Sequence, residues 1–588
     1  MALFRNVNLY ALAFIFVLPL FIDSYTAYEV GLYLIFGLAA LSVASCWGQA
    51  GFLPLGQAVF FGLGAYLYGY VNIDQSSILS VASGLFFALL VPALLAYVLG
   101  KLVFSRTSSS GPYFSLITLA IAMLATQLAL VFDGVTGGFN GLNGISDIPG
   151  TDRYENLYWV IAGAVALVLL SLQYIENTPF GLLLNAIRDN EERVDLLGYK
   201  SDQLKSIVFA LSAAVSGLAG AIYSVHQGIV TPQALGFFLS AEFVIWAAVG
   251  GRFTLVGPIA GALMMGMVSS ELKDTFPYWE VIVASIFIVV VLFLPKGLFG
   301  RLPSTKSRTE NENAEGDNTN GGNARGGNAR EDDSPQTPER QATLVINNAS
   351  VSVGAVNILS SLDMRLGGKG IQCLIGPNGA GKTSAFNTMT GALPLSSGSL
   401  VWNGERFTPR KPYDAARQGI GRKLQIPCVF PSLTVEQNIH LALWASRFNQ
   451  QSLFRTAKYG RRSVSLNAFY EAMPFLERGE VLAGSLSVGQ RQMLDFAMTC
   501  LTDPDLLLLD EPCAGLSPVE TKTLINIIKD YIAREGKPCV IIEHDMQVVE
   551  KLADEVLVMN QGSMLCFGSF EFVRANEGVR NIYAGGTK

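Results

Sequence analysis

The sequence predicts a polytopic α-helical membrane domain, a disordered linker and an α/β domain, in that order, and three observations predict it. Apolar runs of near bilayer-spanning length fill residues 1–302. From Pro303 to Thr343 there is no Val, Ile, Leu, Met or aromatic residue. Beyond that seam, "QCLIGPNGAGKTS" joins a strand-like run to a glycine-rich loop and the start of a helix-like stretch.

At 588 residues the chain exceeds one ordinary core, and 50% hydrophobic against 15% charged residues means that part of it has lipid as its solvent. A formal net charge of -6 excludes a globally basic nucleic-acid binder. The seven cysteines show no Cys-x-x-Cys and no framework spacing, which reads as scattered reduced thiols.

Taken in order, the first part carries apolar runs near 9–22, 29–46, 52–71, 78–100, 112–132, 157–175, 207–225, 239–250, 254–270 and 280–297. Read as about ten spans, they put both ends of the domain on one side. Arg5, Lys101, Arg106, Arg188, Arg193, Lys200, Lys205, Arg252, Lys296 and Arg301 then share that side, against Arg153 and Lys273 on the other, so both ends are expected in the cytoplasm. A re-entrant segment at 239–250 is the alternative for that short run. A cleaved leader is the competing reading of the N-terminus, but losing one pass would break the charge assignment.

Between two spans lies "NTPFGLLLNAIRDNEERVDLLGYK" (177–200), in which Ile187, Val194 and Leu197 recur at helical spacing among charges. One amphipathic helix is expected here, either a solvated surface helix or one whose apolar face enters a groove on a cytoplasmic partner. "GQAGFLPLGQAVFFGLGAY" (48–66) is dense in glycine, which permits close helix packing or broken helices around a pathway. Glu242, inside an apolar run, is a candidate substrate contact or a residue of the wet interface.

The linker, 303–343, includes the repeat "GGNARGGNAR" and has no large apolar side chain to bury against its ordering entropy. It separates 1–302 from 344–588.

In the last part, the loop Gly376, Pro377, Asn378, Gly379, Ala380, Gly381, Lys382, Thr383 and Ser384 follows a strand and opens a helix. Such a loop curls backbone N–H groups around phosphates, with Lys382 reaching the β- and γ-phosphates and the Thr383 hydroxyl on Mg²⁺. This makes the domain an α/β P-loop NTPase that binds ATP. "DLLLLDEP" (505–512) is a buried-strand run ending in Asp510, expected to hold Mg²⁺ through water, and Glu511, expected to deprotonate the attacking water. "PCVIIEHD" is a second such run, and it places His544 where open α/β sheets hold their ligands, as a γ-phosphate contact. His226 and His440 lack such a context.

With "LSVGQ" (486–490), these motifs in this order resemble the nucleotide-binding domain of ABC transporters over essentially all of 344–588. The resemblance implies a head-to-tail dimer in which Ser487 and Gly489 of one domain close over ATP held by another. It also implies that Gln425, in "GIGRKLQ", senses Mg²⁺ and water. The sequence departs from the pattern at Val488, at Val353 where an aromatic is expected on adenine, and in "CAGLSP", which lacks an aspartate. These departures bear on ATP affinity and on whether the two dimer sites are equal.

The membrane part is similar to the permeases of branched-chain amino acid importers, through the glycine-rich stretch above, "GVTGGFNGLNGIS", "PFGLLLNAIRDNEERVDLLGY" and "WAAVGGRFTLVGPIAGAL". That resemblance makes 186–199 a coupling helix beside Gln425. Several stretches look closest to the urea-import branch, whose permease and ATPase are usually separate chains. What it implies is a fused permease and ATPase in a bacterial inner membrane, importing a branched-chain amino acid or urea. A second permease subunit, a second ATPase subunit and an extracytoplasmic solute-binding protein would be its partners. A homodimeric half-exporter and a membrane-tethered ATPase outside transport are the rival readings.

Overall fold

A computed structural model describes residues 7–74, 77–106, 112–300, 342–354, 356–445 and 464–584. Arg5, Arg301 and residues 303–341 of the expected linker lie outside the described residues. Two compact units are present, one built from the described residues of 7–188 and 201–300, the other from 189–200 together with those of 342–584.

In the first unit each expected apolar run falls on a helix: Val7–Val17, Ser24–Ala44, Gln57–Val71, Ile78–Arg106, Pro112–Val131, Leu157–Glu176, Ser201–Gln227, Phe237–Gly250, Val256–Thr275 and Trp279–Phe293. Among the described residues, five helices are long and apolar enough to cross a membrane: Ser24–Gln49, Ile78–Ser105, Pro112–Val131, Leu157–Glu176 and Ser201–Gln227. Asp23 starts the first of these by accepting from the backbone N–H of Tyr25 and Thr26, and a π-helical turn, Ser45–Gln49, ends it. A short antiparallel pair, β1 (Leu142–Asn143) and β2 (Ile229–Val230), closes one loop against another.

The run expected at 52–71 is helical only from Gln57. Gly51 adopts φ +81°, and Pro54 has no N–H to give a helix. Side chains answer the exposed backbone instead: Leu55 N–H donates to Thr118 Oγ1 at 3.0 Å, and Ser115 Oγ donates to Leu53 O at 2.7 Å.

Close helix approach explains much of the glycine. Pro92 sits inside Ile78–Arg106 and cannot donate to the carbonyl of Ala88; Gly217 fills the space beside it, where a Cβ would lie 2.1 Å from Ala88 O. Gly64 faces the Gly217 backbone in the same way, with a Cβ at 2.2 Å from its carbonyl. Glu242 is half-buried in the first half of Phe237–Gly250. His226 stacks on Tyr28 at 3.9 Å between ring centroids, an ordinary packing role.

The single amphipathic helix expected over 177–200 is two helices, Pro179–Asp189 and Glu191–Leu196. Asn190 breaks it: its backbone is extended and its side chain accepts from Arg193 N–H, capping the second helix.

The second unit has two sheets. An antiparallel sheet runs in the order β4 (Val356–Gly367), β3 (Thr343–Val353), β6 (Ser397–Trp402) and β7 (Glu405–Phe407). The larger sheet has the order β12 (Ser563–Gly568), β11 (Glu555–Asn560), β5 (Ile371–Ile375), β10 (Cys539–Ile542), β9 (Leu506–Asp510) and β8 (Ile420–Lys423). All neighbours in it are parallel except the edge pair β11–β12. Every residue of β5, β8, β9 and β10 is buried, as expected of a parallel sheet covered on both faces. Because those four strands run the same way, their C-terminal ends meet at one edge. The seven cysteines are all free, six of them buried.

Candidate active site

The edge of the sheet collects what the sequence scattered. The phosphate loop leaves β5, Asp510 ends β9, His544 follows β10, and Gln425 lies two residues past β8. At Gly381 the backbone takes φ +95° to cap helix Lys382–Met389, and Gly379 takes φ +80° with open space where its Cβ would be. A glycine-rich loop opening a helix in this way is the kind that cradles an anion with backbone N–H groups. The Lys382 ammonium donates to Gly376 O at 2.8 Å and Pro377 O at 3.1 Å. Burial pulls its pKa below the usual lysine range, while Glu511 and Asp510 work in the opposite direction.

Asp510 is 1% exposed, and its Oδ1 has no hydrogen-bond partner among the described residues. Its Oδ2 lies 3.7 Å from Arg422 Nη2. Burial raises its pKa, and the guanidinium of Arg422 holds it down, with a smaller contribution from the Thr383 hydroxyl. An unpartnered buried carboxylate oxygen close to a threonine hydroxyl is a hard-oxygen donor set, which fits Mg²⁺ completed by phosphate oxygens and water. Among the described residues no cluster of three or more His, Cys, Asp or Glu side chains could hold a metal by itself.

Glu511 is the hub. Its Oε1 lies 2.7 Å from His544 Nε2, and its Oε2 accepts from Gln425 Nε2 at 2.7 Å. Its backbone has φ +43°, a strained value for a residue with a Cβ, held by its N–H donating to Ile542 O at 2.9 Å. A carboxylate so fixed at the end of a parallel sheet can take a proton from a water placed before it.

Ser487 caps helix Val488–Leu501 in a capping box with Gln490. Gly489 lies in that helix, where a Cβ would meet Glu520 Oε1 at 2.1 Å. Among the described residues neither shares a hydrogen bond or ion pair with the phosphate loop of its own chain. Val353, half of whose surface is exposed, ends β3.

Residues 26–292 match the family described as the branched-chain amino acid transport system permease component, and residues 359–514 match the family described as ABC transporter. The high-affinity branched-chain amino acid transport ATP-binding protein LivG of Escherichia coli K12 is 32% identical over 253 residues, 42% of this chain and 98% of that protein. The chain belongs to the ABC transporter family. Its Pseudomonas aeruginosa relative BraF, a high-affinity branched-chain amino acid transport ATP-binding protein, is 30% identical over 249 residues, covering 41% of this chain and 97% of its own length. Among solved structures, an ATP-binding cassette of an ABC transporter in its ADP conformation matches at 24% identity over 42% of this chain and 99% of its own, with a TM-score of 0.36.

This ABC transporter chain is therefore a fused permease and ATPase, a membrane protein whose cassette binds nucleotide and couples ATP hydrolysis to transport. It is related to the importers of branched-chain amino acids, and that kinship implies partner permease and ATPase subunits and a substrate-binding protein.

Two further residues at the site lie outside the roles the sequence motifs assign. Arg422 lies within "GIGRKLQ", where it and Lys423 are two adjacent cations in a wholly buried strand. Glu543 precedes His544 and accepts from Cys513 N–H at 3.1 Å and from His544 N–H at 3.3 Å. Burial pushes its carboxyl up to about 7.

Proposed function

We propose that this chain is the permease–ATPase subunit of an importer that carries a branched-chain amino acid, or urea, across a bacterial inner membrane. The observation that carries this reading is the pairing on one chain of the branched-chain amino acid permease match over 26–292 with the ABC transporter match over 359–514. The names of LivG and BraF favour branched-chain amino acids; urea rests on the resemblance in the sequence.

In this reading, residues 1–302 form the permease with about ten spans, and the linker expected over 303–343 ends before Ala342, which is buried, and Thr343, which opens β3 of the ATPase, with both ends of the permease and the ATPase in the cytoplasm. Residues Gly376 to Ser384 wrap the phosphates of ATP, and Lys382 leaves the loop carbonyls for the β- and γ-phosphates. Thr383, Asp510 and Gln425 would hold Mg²⁺, which when bound would supply charge neutralisation on the phosphate oxygens. Glu511 accepts the proton of the attacking water, Gln425 orients that water, and His544 contacts the γ-phosphate. Ser487 and Gly489 act across the dimer on nucleotide held by the second ATPase subunit. A second permease subunit and an extracytoplasmic solute-binding protein complete the transporter.

Uptake of labelled leucine and labelled urea, by cells expressing this gene with its neighbours, tests the reading against Glu511→Gln. Uptake of one solute that disappears in the variant is expected. Solute leaving the cell in a Glu511-dependent manner would overturn it in favour of the exporter.

A further inference from the structure

Helices Gln57–Val71 and Phe237–Gly250 of the membrane unit hold 15 and 14 residues, about 21–22 Å of helix against a hydrocarbon core of roughly 30 Å. Both begin inside the unit. Ser216 Oγ, near the middle of the 27-residue helix Ser201–Gln227, donates to Gln57 O at 3.2 Å. Ala58 N–H donates to Ser240 Oγ, in the first turn of Phe237–Gly250, at 3.0 Å. The N-termini of the two short helices therefore lie together at mid-depth, the arrangement with which broken helices meet a solute in transporters. Neither N-cap residue, Gly56 or Gly236, contributes a capping side chain.

Gln57 is fully buried at that junction, and its Oε1 has no hydrogen-bond partner among the described residues. Its Nε2 donates to Ser42 Oγ at 2.9 Å and to Ser212 Oγ at 3.2 Å. Those hydroxyls give their own protons to carbonyls, Ser42 to Ala39 O at 2.7 Å and Ser212 to Phe209 O at 3.1 Å. Each can therefore only accept from the amide, which sets its orientation and leaves the oxygen as the open atom. An amide oxygen held away from water without a donor is destabilising, so the junction is completed by a donor from outside this cluster.

We propose that Gln57 is a solute contact of the permease, its Oε1 accepting an N–H group of the solute in transit, the ammonium of an amino acid or the amide of urea. This assignment rests on the importer reading given above, and both solutes of that reading carry such a donor. Ser42, Ser212 and Ser240 are buried too, so the solute reaches the oxygen only when the surrounding helices part. Gly64 and Gly217 bring Gln57–Val71 and Ser201–Gln227 into backbone contact. The parting therefore falls between that pair and the helices that carry Ser42 and Ser240.

The test places the full chain, with its partner subunits and a solute-binding protein, in liposomes as wild type, Gln57→Leu and Gln57→Met. Labelled leucine and labelled urea are supplied in parallel arms, and solute carried and phosphate released are counted in the same sample. Both variants remove the open oxygen and leave Ser42 and Ser212 bonded to their carbonyls, so Tm is expected at or above the wild-type value. Met, close to Gln in length, covers the case in which the branched Leu does not fit. Phosphate release stimulated by the loaded binding protein is expected to stay within about twofold of wild type, while solute carried per phosphate falls about tenfold or more. The arm that shows the fall identifies the donor as an amino acid's ammonium or urea's amide. Wild-type coupling in both variants overturns the inference, because the amide then only packs. So does a loss of Tm in both, or a fall in phosphate release as large as the fall in uptake, because Gln57 then serves the folding or movement of the helices. If the wild type carries neither solute, the importer reading falls and this assignment with it. If it carries one and the variants carry it equally well, only the assignment of Gln57 fails.

Discussion

Glu511 and His544 meet with 2.7 Å between Oε1 and Nε2, across the adjacent strands β9 and β10. Gln425 closes on the other carboxylate oxygen, so two neighbours fix the carboxylate from opposite sides. Replacing Glu511 by Gln keeps the shape and removes the basic oxygen. Phosphate release by the purified chain is expected to drop by about 10²–10⁴, the usual worth of a positioned general base, with affinity for a fluorescent ATP analogue retained.

The positive φ of Glu511 makes a second, opposite prediction for stability. Glycine adopts φ +43° without the Cβ clash, so Glu511→Gly is expected to abolish turnover and raise the stability of the cassette by about 1 kcal/mol. Thermal unfolding against wild type measures it, and a lower Tm would show that the contacts to His544 and Gln425 outweigh the strain.

Glu543 gives a pH signature. Burial raises its folded pKa from 4.5 to about 7, so the folded state binds the proton more tightly than the unfolded one. The stabilisation this provides is complete below about pH 4.5 and is lost as pH rises to about 7, after which the curve is flat. Glu543→Gln removes the titration. Its stability relative to wild type is expected to rise between pH 5 and pH 7.5 by on the order of 2 kcal/mol, read from denaturant midpoints at each pH.

In the permease unit, a Cβ on Gly220 would lie 1.8 Å from Phe61 O, whereas one on Gly163 would meet nothing within 4 Å. Gly220→Ala is expected to cost about 1–3 kcal/mol through forced separation of two helix backbones, and to show as loss of monodisperse protein in detergent. Gly163→Ala, in a helix of similar character, should leave the elution profile unchanged.

The parts of the site that were legible in the sequence are those written locally. An apolar strand followed by glycines, a leucine run ending in Asp510 and Glu511, and a β-branched run ending near His544 each carry their meaning within about ten residues. Their convergence then follows from parallel pairing, which brings like ends together. The break at Asn190 was hidden: an asparagine before two glutamates is a helix N-cap signal, but the hydrophobic spacing on either side points to one continuous helix. The buried approach of Arg422 to Asp510 was not legible at all. A charge reads as solvated until its partner is known, and here each partner comes from a distant part of the chain.

The glycine contacts of the membrane helices bear on how that unit can deform. Gly64 against Gly217, Gly217 against Ala88 and Gly220 against Phe61 put main chain on main chain, with no side chain between to change rotamer. Such joints have almost no compliance, so helices Gln57–Val71, Ile78–Arg106 and Ser201–Gln227 would shift as one stiff wedge. Slack is left to the π-helical turn at Ser45–Gln49 and the irregular stretch that follows, where the backbone leans on serine and threonine hydroxyls that can let go one at a time.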